Sequence, residues 1–264
     1  MNALLPLLPR GWLACLALLL PAPIAASAAG ADLDGAAILA QATAAAGGEG
    51  WATARSLTLI GHAEFWGPSG PEPRSRVDSY VMYREFDPDR TAAHGAEGKV
   101  RIIAAQDGRT LWTVGFDGQR TWTERGITPA AEAEAFWASN MGFGILRHVR
   151  KPGFKAERVA DSAVDGHPLY LVRLTDPRGG VTLFGIDQQS FAVRSMAFMT
   201  PKGWHERRYA DFVRLENPDW LQARTVTLFY NGVKSNTVYW REYRVNARID
   251  PQVFVWPGAT GEVP

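Results

Sequence analysis

From residue 169 to residue 245 the chain alternates apolar and polar positions in short runs separated by Gly, Pro, Asn or Asp. The runs carry β-branched and aromatic side chains with a period of two, which is the pattern of half-buried strands. They cover residues 169–174, 181–186, 191–199, 225–230 and 237–245. Their order predicts an antiparallel meander. Because the apolar face of such a sheet needs a cover, we expect a curved sheet wrapped on a few helices, which makes a cavity and favours a binding protein.

The first half of the chain supplies more strands and two helices. Residues 57–66, 76–86 and 99–105 alternate in the same way and are predicted strands. An amphipathic helix is predicted over residues 33–46, capped by Asp32 or Asp34 and ended by a Gly-Gly pair. A second helix starts after Thr128 and stops near residue 142, and its aromatic end is suited to plug a curved sheet.

A short internal repeat places one tryptophan on each of two successive hairpins. Asp-Gly dipeptides at residues 107–108 and 117–118 precede Trp112 and Trp122 by the same spacing. Three-residue loops would put the two indoles opposite each other on the concave face, with Ile102 completing the ladder, whereas two-residue loops would put them on opposite faces. We favour three-residue loops, because x-Asp-Gly suits a type I turn followed by a bulge.

Large apolar side chains on these elements are the candidate ligand-binding residues. On the strands and the helical lid they are Trp112, Trp122, Phe136, Trp137, Met141, Phe143, Phe184, Met196, Phe198, Phe229 and Tyr239. The methionines favour a cavity, because a flexible thioether adapts to varied cargo. Each of these residues is equally compatible with plain core packing, since aromatic and aliphatic side chains fill most protein interiors.

The first residues have the pattern of a secretory signal peptide. Arg10 precedes an apolar run over residues 11–20, and the small residues 25–28 provide an A-x-A cleavage site. We expect cleavage near Ala28, a single domain over residues 29–264 and a periplasmic location. The alternative is an uncleaved anchor, although the run is short for a membrane span. The only cysteine, Cys15, lies in this leader, so the mature chain has no disulfide.

Charge and motifs argue against several classes of function. Removal of the leader leaves 27 basic and 27 acidic residues, and a neutral surface does not favour nucleic acid. The sequence has no G-x-S-x-G motif, and the pair at residues 205–206 lacks the second histidine of H-E-x-x-H. We therefore predict a protein that is not an enzyme and needs no cofactor or metal. A hydrolase of the glycosidase type stays open, because its two carboxylates need not be close in sequence.

The order of these elements resembles the periplasmic outer-membrane lipoprotein-sorting (LolA/LolB-like) superfamily. The resemblance rests on the leader, the helix ending in Gly-Gly, the strand at residues 57–65, the hairpin sequence at residues 115–122, the helical plug and the ending at residues 243–257. It implies a mainly β fold with a few helices (α+β), in which a curved antiparallel sheet forms an unclosed β-barrel with a helical lid.

The same resemblance implies a function in the cell envelope. The expected ligand is a lipid or an acylated lipoprotein held in an apolar cavity, and the expected partner is a membrane-bound donor or acceptor protein. The protein would act as a monomer and would require no cofactor. An alternative is a sensor module that binds a lipid or lipoprotein and signals to a membrane partner.

Overall fold

The structure is a computed structural model that describes residues 33–68 and 70–260, with the side chains of residues 259 and 260 left out. The predicted signal peptide lies outside the described residues and stays a prediction. Within the described part of the chain, no helix is long and apolar enough to cross a membrane.

Over residues 33–68 and 70–260, three α-helices and three 3-10 helices accompany the strands. The α-helices are α1 (Gly35–Ala46), α2 (Gly48–Ala52) and α3 (Ala130–Ala138), and the 3-10 helices are Phe143–His148, Pro251–Phe254 and Pro257–Thr260. The strands are β1 (Ser56–Phe65), β2 (Ser75–Glu85), β3 (Lys99–Gln106), β4 (Arg109–Phe116), β5 (Thr121–Thr123), β6 (Gly126–Ile127), β7 (Lys155–Arg158), β8 (Ser162–Val164), β9 (His167–Thr175), β10 (Val181–Asp187), β11 (Val193–Thr200), β12 (Gly203–Glu216), β13 (Asp219–Tyr230) and β14 (Val233–Val245).

All the strands belong to one antiparallel sheet with the order β6-β5-β4-β3-β2-β1-β14-β13-β12-β11-β10-β9-β7, and β8 pairs with β9 beside this path. Its two halves are meanders of sequence neighbours, and they join where β1 pairs with β14. The outermost strands β6 and β7 do not pair with each other, so the barrel is open. The predicted fold class, a mainly β unclosed barrel with helices, is confirmed.

Helix α1 covers one end of the concave face, as its sequence predicts. The Asp34 side chain accepts a 2.7 Å hydrogen bond from the Ala37 backbone NH and caps the helix. Gly47 ends the helix with a φ of 130°, a conformation that a residue with a Cβ rarely adopts. The buried side of α1 presents Ile38 and Leu39 to the main core, so the helix supplies the cover that the sheet needs.

The two Asp-Gly hairpins have different turns, and the predicted tryptophan ladder is wrong. Asp107 and Gly108, with φ values of 51° and 74°, form a two-residue loop, whereas the next loop spans residues 117–120. Trp122 therefore pairs with Gly115, so the Trp122 and Trp112 side chains lie on opposite faces of the sheet. An aspartate tolerates the left-handed conformation, which allows the tighter first loop. Ile102 pairs with Val114, so its side chain lies on the concave face with Trp112 but not with Trp122.

The sequence pattern did not predict β12, the longest of the described strands. Its 14 residues include a run of charged side chains that hides the period-two alternation. Arg207 faces the concave side there, while Glu206 and Arg208 face outward and form a 2.7 Å ion pair. Strand β12 completes the meander between β11 and β13 and, as described below, carries part of the candidate site.

Candidate functional site

The candidate site lies on the concave face of the sheet beneath residues 130–148, which we call the lid segment. It consists of α3, a short connection and the 3-10 helix Phe143–His148. Near the end of α3, Trp137 donates a 2.7 Å hydrogen bond from its indole Nε1 to the Thr121 hydroxyl on β5. At the start of the 3-10 helix, the Phe143 ring packs on the Tyr209 ring of β12, with their centroids 5.0 Å apart. The lid segment therefore spans the concave face from one half of the sheet to the other.

Two side chains of the sheet hold the residues that follow α3. Arg207 donates a 2.6 Å hydrogen bond from Nη2 to the Asn140 backbone carbonyl. The Tyr230 hydroxyl donates a 3.1 Å hydrogen bond to the Ser139 backbone carbonyl. Both acceptors are carbonyls at the C-terminal end of the helix, which attracts positive charge. These contacts and the Trp137 bond fix residues 137–140, in the middle of the lid segment, by polar groups from both halves of the sheet.

An aromatic group lies on the concave face in the middle of the sheet. The Tyr80 ring contacts those of Phe65, Trp112 and Trp240 at centroid distances of 6.5, 5.9 and 5.6 Å. Burial raises the pKa of Tyr80 to about 12. Its side chain nevertheless keeps part of its surface accessible, and its hydroxyl makes no hydrogen bond to any residue that the structure describes. An apolar environment with accessible surface is what a ligand-binding interior provides.

Other apolar side chains on this part of the concave face and on the lid are also only half-buried. They are Met82, Ile102, Phe116, Phe136, Phe143 and Val226. Such side chains inside a packed core would be buried, so apolar surface stays accessible on the concave face and on the lid segment. We use the name concave site for this surface together with Tyr80 and Trp112.

The structure brings five of the predicted ligand-binding residues to the concave site or against it. Trp112, Phe136, Trp137 and Met141 form one apolar cluster with Val100 and Val114. Trp112 and Phe136 are half-buried and can contact a ligand. Trp137 is 2% exposed and serves to anchor the lid segment. Phe143 packs against the neighbouring main core.

Three further predicted residues face the concave side but are fully packed. Phe184, Met196 and Phe198 are at most 2% exposed and belong to the main core. A Cβ at Gly142 of the lid segment would lie 3.0 Å from the Phe198 ring, so the lid segment rests directly on this part of the sheet. Their position matches the core-packing alternative that the sequence left open.

The remaining predicted residues, Trp122, Phe229 and Tyr239, lie on the convex face. Trp122 donates a 2.8 Å hydrogen bond to the Phe254 carbonyl and is fully buried under the C-terminal segment. The Arg208 guanidinium lies over the Phe229 ring, and Tyr239 stacks on His62. The sheet separates all three from the lid segment, because neighbouring positions of a strand alternate between its faces.

Sequence reasoning missed Tyr80, Arg207 and Tyr230. Tyr80 lies within the predicted strand 76–86, and its face could have been deduced from the alternation. Arg207 required recognition of β12, where His205 and Tyr209 share its face. Burial and then the charge on Arg207 lower the pKa of His205 to about 2, so this imidazole is neutral.

A separate cleft of ≈ 890 Å³ opens where α2, the start of β1, the 3-10 helix Phe143–His148 and the segment after β14 meet. No predicted ligand-binding residue lines this cleft. Among the residues that the structure describes, no group of three or more His, Cys, Asp or Glu side chains could hold a metal ion.

The comparisons with known proteins identify the fold. No family model matches the sequence, and no curated protein matches it. A domain from Vibrio parahaemolyticus described as an outer membrane lipoprotein-sorting protein is 12% identical, with a TM-score of 0.53 over 83% of this chain and 95% of that one. A LolA superfamily protein from Nitrosomonas europaea is 11% identical, with a TM-score of 0.53 over 85% of this chain and 98% of that one.

A DUF1329 family protein from Desulfovibrio piger is 8% identical, with a TM-score of 0.50 over 85% of this chain and 97% of that one. These likenesses show that the chain has a LolA-like fold, and they confirm the resemblance drawn from the order of its elements. Identities this low speak for the fold alone, so the function has to be argued from the site.

Proposed function

We propose that this protein binds the acyl part of a lipid or of a lipid-anchored polypeptide at the concave site. The observation that carries the proposal is the accessible aromatic surface of Tyr80 and Trp112 on the concave face, where Trp112 also packs with Trp137 and Met141 of the lid segment. Surface of this kind is costly to leave in contact with water, and an acyl chain would cover it.

Solvent transfer gives the physical basis of binding. Each methylene that moves from water to an apolar surface contributes about 0.8 kcal/mol, so an acyl chain needs few polar contacts to bind tightly. The Tyr80 hydroxyl and the Arg207 guanidinium are polar groups at the concave site. Burial raises the pKa of Tyr80, and the positive charge on Arg207 partly opposes this rise. These two groups are suited to orient an ester or amide at the head of the chain.

The lid segment controls access in this proposal. In the structure the lid segment is closed and is held by the hydrogen bonds from Trp137, Arg207 and Tyr230. Opening of the lid segment breaks these three bonds. Burial of an acyl chain gives no direction to transfer, and release therefore requires a state of the protein with lower affinity. A membrane-bound donor or acceptor that contacts the lid segment would provide that state.

The predicted leader and the fold support a periplasmic carrier that acts as a monomer. The leader pattern directs export, and a solved protein with the same fold is described as lipoprotein-sorting. Binding and release require no catalytic group or cofactor.

Photocrosslinking tests the proposal directly. The purified protein is equilibrated with a photoreactive fatty acid, irradiated, digested and analysed by mass spectrometry. We expect label on β2, β3, β4 and the lid segment, and displacement of a fluorescent fatty acid by unlabelled lipid. No binding of any acyl probe, or label confined to the convex face, would refute the proposal.

A pair of matched variants separates the two faces of the sheet. Trp112→Glu places a charge at the concave site and should weaken binding of the fluorescent fatty acid at least tenfold. Phe229→Glu introduces the same charge on the convex face beside Arg208 and should leave binding unchanged. Circular dichroism and thermal unfolding check that both variants are folded.

A further inference from the structure

The ≈ 890 Å³ cleft beside α2 has a composition unlike that of the concave site. Its walls come from α2, the start of β1, the loop after β2, the 3-10 helix Phe143–His148 and the segment after β14. The basic side chains that line it are Arg55, Arg147, Arg150, Lys151 and Arg248, and the acidic ones are Glu49, Glu85 and Asp87. The cleft thus carries more positive than negative charge.

Local ion pairs do not remove this excess. Glu85 forms a 2.9 Å ion pair with Lys99, and Lys151 forms a 3.7 Å ion pair with Asp89. Neither Lys99 nor Asp89 is a cleft residue, so one acidic and one basic group of the cleft are used. Three exposed arginines at the cleft, Arg55, Arg150 and Arg248, form no ion pair with any described residue. Their guanidinium groups are therefore available to an anion from solution.

The protein interior behind the cleft adds to the positive field. The Glu97 carboxylate is fully buried and forms ion pairs with Arg84 and Arg90. Arg147 lies close by, with its Cζ 4.4, 4.0 and 5.0 Å from the ring centroids of Trp51, Phe86 and Trp220.

Behind the cleft, Arg84 and Arg90 thus share one buried carboxylate, with the cleft residue Arg147 nearby. Charge in a region of low dielectric is screened less than charge at the surface, so the imbalance reaches the cleft.

His148 provides a buried polar group at the cleft. The residue is 5% exposed and lines the cleft, and its Nε2 has no hydrogen-bond partner among the described residues. Burial, with the charge on Lys151 next, lowers the pKa of His148, which keeps the ring neutral at pH 7. A neutral imidazole can carry its proton on Nε2 and donate it to an anionic oxygen. A buried donor without a partner is rare in folded proteins and calls for an acceptor.

We propose that this cleft binds a phosphate group, with Arg55, Arg150 and Arg248 as its cationic side and His148 as a neutral donor. A phosphate oxygen pair matches the fork of an arginine, and its charge offsets the excess in the cleft. The group could belong to a soluble phosphorylated molecule or to a phospholipid headgroup. The proposal rests on other side chains than acyl binding does: residues 146–148 of the lid segment line the cleft, but no residue of the concave site does.

Isothermal titration with glycerol 3-phosphate and flotation with vesicles test the two sources. The vesicles contain phosphatidylglycerol in phosphatidylcholine, with pure phosphatidylcholine as the reference. Binding of glycerol 3-phosphate identifies a soluble ligand. Flotation with the anionic vesicles alone, without binding of the soluble probe, identifies a headgroup. The absence of both overturns the proposal.

Two double variants of equal charge assign the binding to the cleft. Arg150→Gln with Arg248→Gln should weaken whichever interaction is found at least tenfold. Arg109→Gln with Arg178→Gln removes the same charge from exposed residues outside the cleft and should have less than a twofold effect. Equal losses in the two double variants would show non-specific attraction and overturn the proposal. Displacement of the fluorescent fatty acid, measured in parallel, should be unchanged in both, so the two proposals can fail separately.

His148→Phe gives a finer test, because it removes the donor without removing a charge. We expect the affinity for the bound phosphate probe to fall about threefold to tenfold at pH 8 and thermal unfolding to stay cooperative. If a folded His148→Phe variant binds with unchanged affinity, His148 is not part of the site.

Discussion

The guanidinium of Arg207 on β12 and the backbone carbonyl of Asn140 in the lid segment are joined by a 2.6 Å hydrogen bond. The bond crosses from the concave face of the sheet to the end of α3 and uses a charged donor. Charged donors make stronger hydrogen bonds than neutral ones. This contact therefore contributes more than an ordinary hydrogen bond to the closed position of the lid segment.

Arg207→Gln should open the lid segment more often without unfolding the sheet. A hydrogen bond from a charged group contributes about 1.5–3 kcal/mol, so amide exchange of residues 137–142 should accelerate by about one to two orders of magnitude. Hydrogen–deuterium exchange with mass spectrometry measures this. Arg208→Gln is the control, because it removes the same charge from the convex face and should leave exchange in the lid segment unchanged.

Gly115→Ala should destabilise the protein through Trp122. A Cβ at residue 115 would overlap Cε2 of the fully buried Trp122 ring, and an overfilled site of this kind costs about 1–3 kcal/mol. Urea unfolding gives the free energy difference. Gly95→Ala, where a Cβ meets nothing within 4 Å, should be neutral. If both substitutions have the same effect, the close approach of Gly115 and Trp122 is not real.

Local sequence signals predicted most elements correctly. Asp34 and Gly47 mark the ends of α1 because capping and a left-handed glycine act within a few residues. The strands at residues 57–65 and 181–186 were recognised because each buries alternate apolar side chains. The predicted helix after Thr128 exists, although α3 begins at Ala130 and has no side-chain cap.

Long-range features could not be read from the sequence in the same way. The face of Trp122 depends on the number of residues in two loops, and a change of one residue reverses it. Arg207 looked like part of a solvated charged run, because only the pairing of β12 with β11 and β13 shows which side it faces. The fold was thus predictable, whereas the membership of the concave site was predictable only in part.

Glu97→Gln should be strongly destabilising, because it leaves Arg84 and Arg90 buried without their shared carboxylate. Loss of one partner of a buried ion pair costs about 3–5 kcal/mol. Glu157→Gln is the control, since its ion pair with Arg173 is exposed and should change stability by about 0.5 kcal/mol or less. Thermal and urea unfolding compare the two variants.

The same carboxylate gives a prediction in acid. Burial opposes ionisation of Glu97, but the charges on Arg84 and Arg90 outweigh it and hold its pKa below the ordinary 4.5. The stabilisation is therefore complete above pH 4.5 and is lost as the pH falls through the lower pKa of the folded state. Between pH 5 and pH 3 the wild type should lose stability more steeply than Glu97→Gln. If the stability of the two proteins fell in parallel with pH, Glu97 would not have a lowered pKa in the folded state.

His205 should make the fold sensitive to acid at a higher pH. Burial and the charge on Arg207 lower its pKa from 6.5 to about 2, so the unfolded chain takes up a proton first as the pH falls. The stability from the neutral ring is complete above pH 6.5 and declines below it by about 1.4 kcal/mol per pH unit. His205→Leu should remove this slope between pH 6 and pH 5 in urea titrations. An unchanged slope would mean that the imidazole is not excluded from protonation.

The pairing of β1 with β14 determines when the protein can finish folding. Leu57 is the partner of Val245, and next to this pair the Arg55 backbone NH donates to the Asn246 side chain across 191 positions of sequence. Each half of the sheet can form from neighbouring strands, but the junction has to wait for the last strand to be synthesised. Contacts between such distant parts of a chain form slowly. Until β1 and β14 pair, each half exposes an unpaired edge, so a chain whose two halves have not yet joined needs protection from other strands.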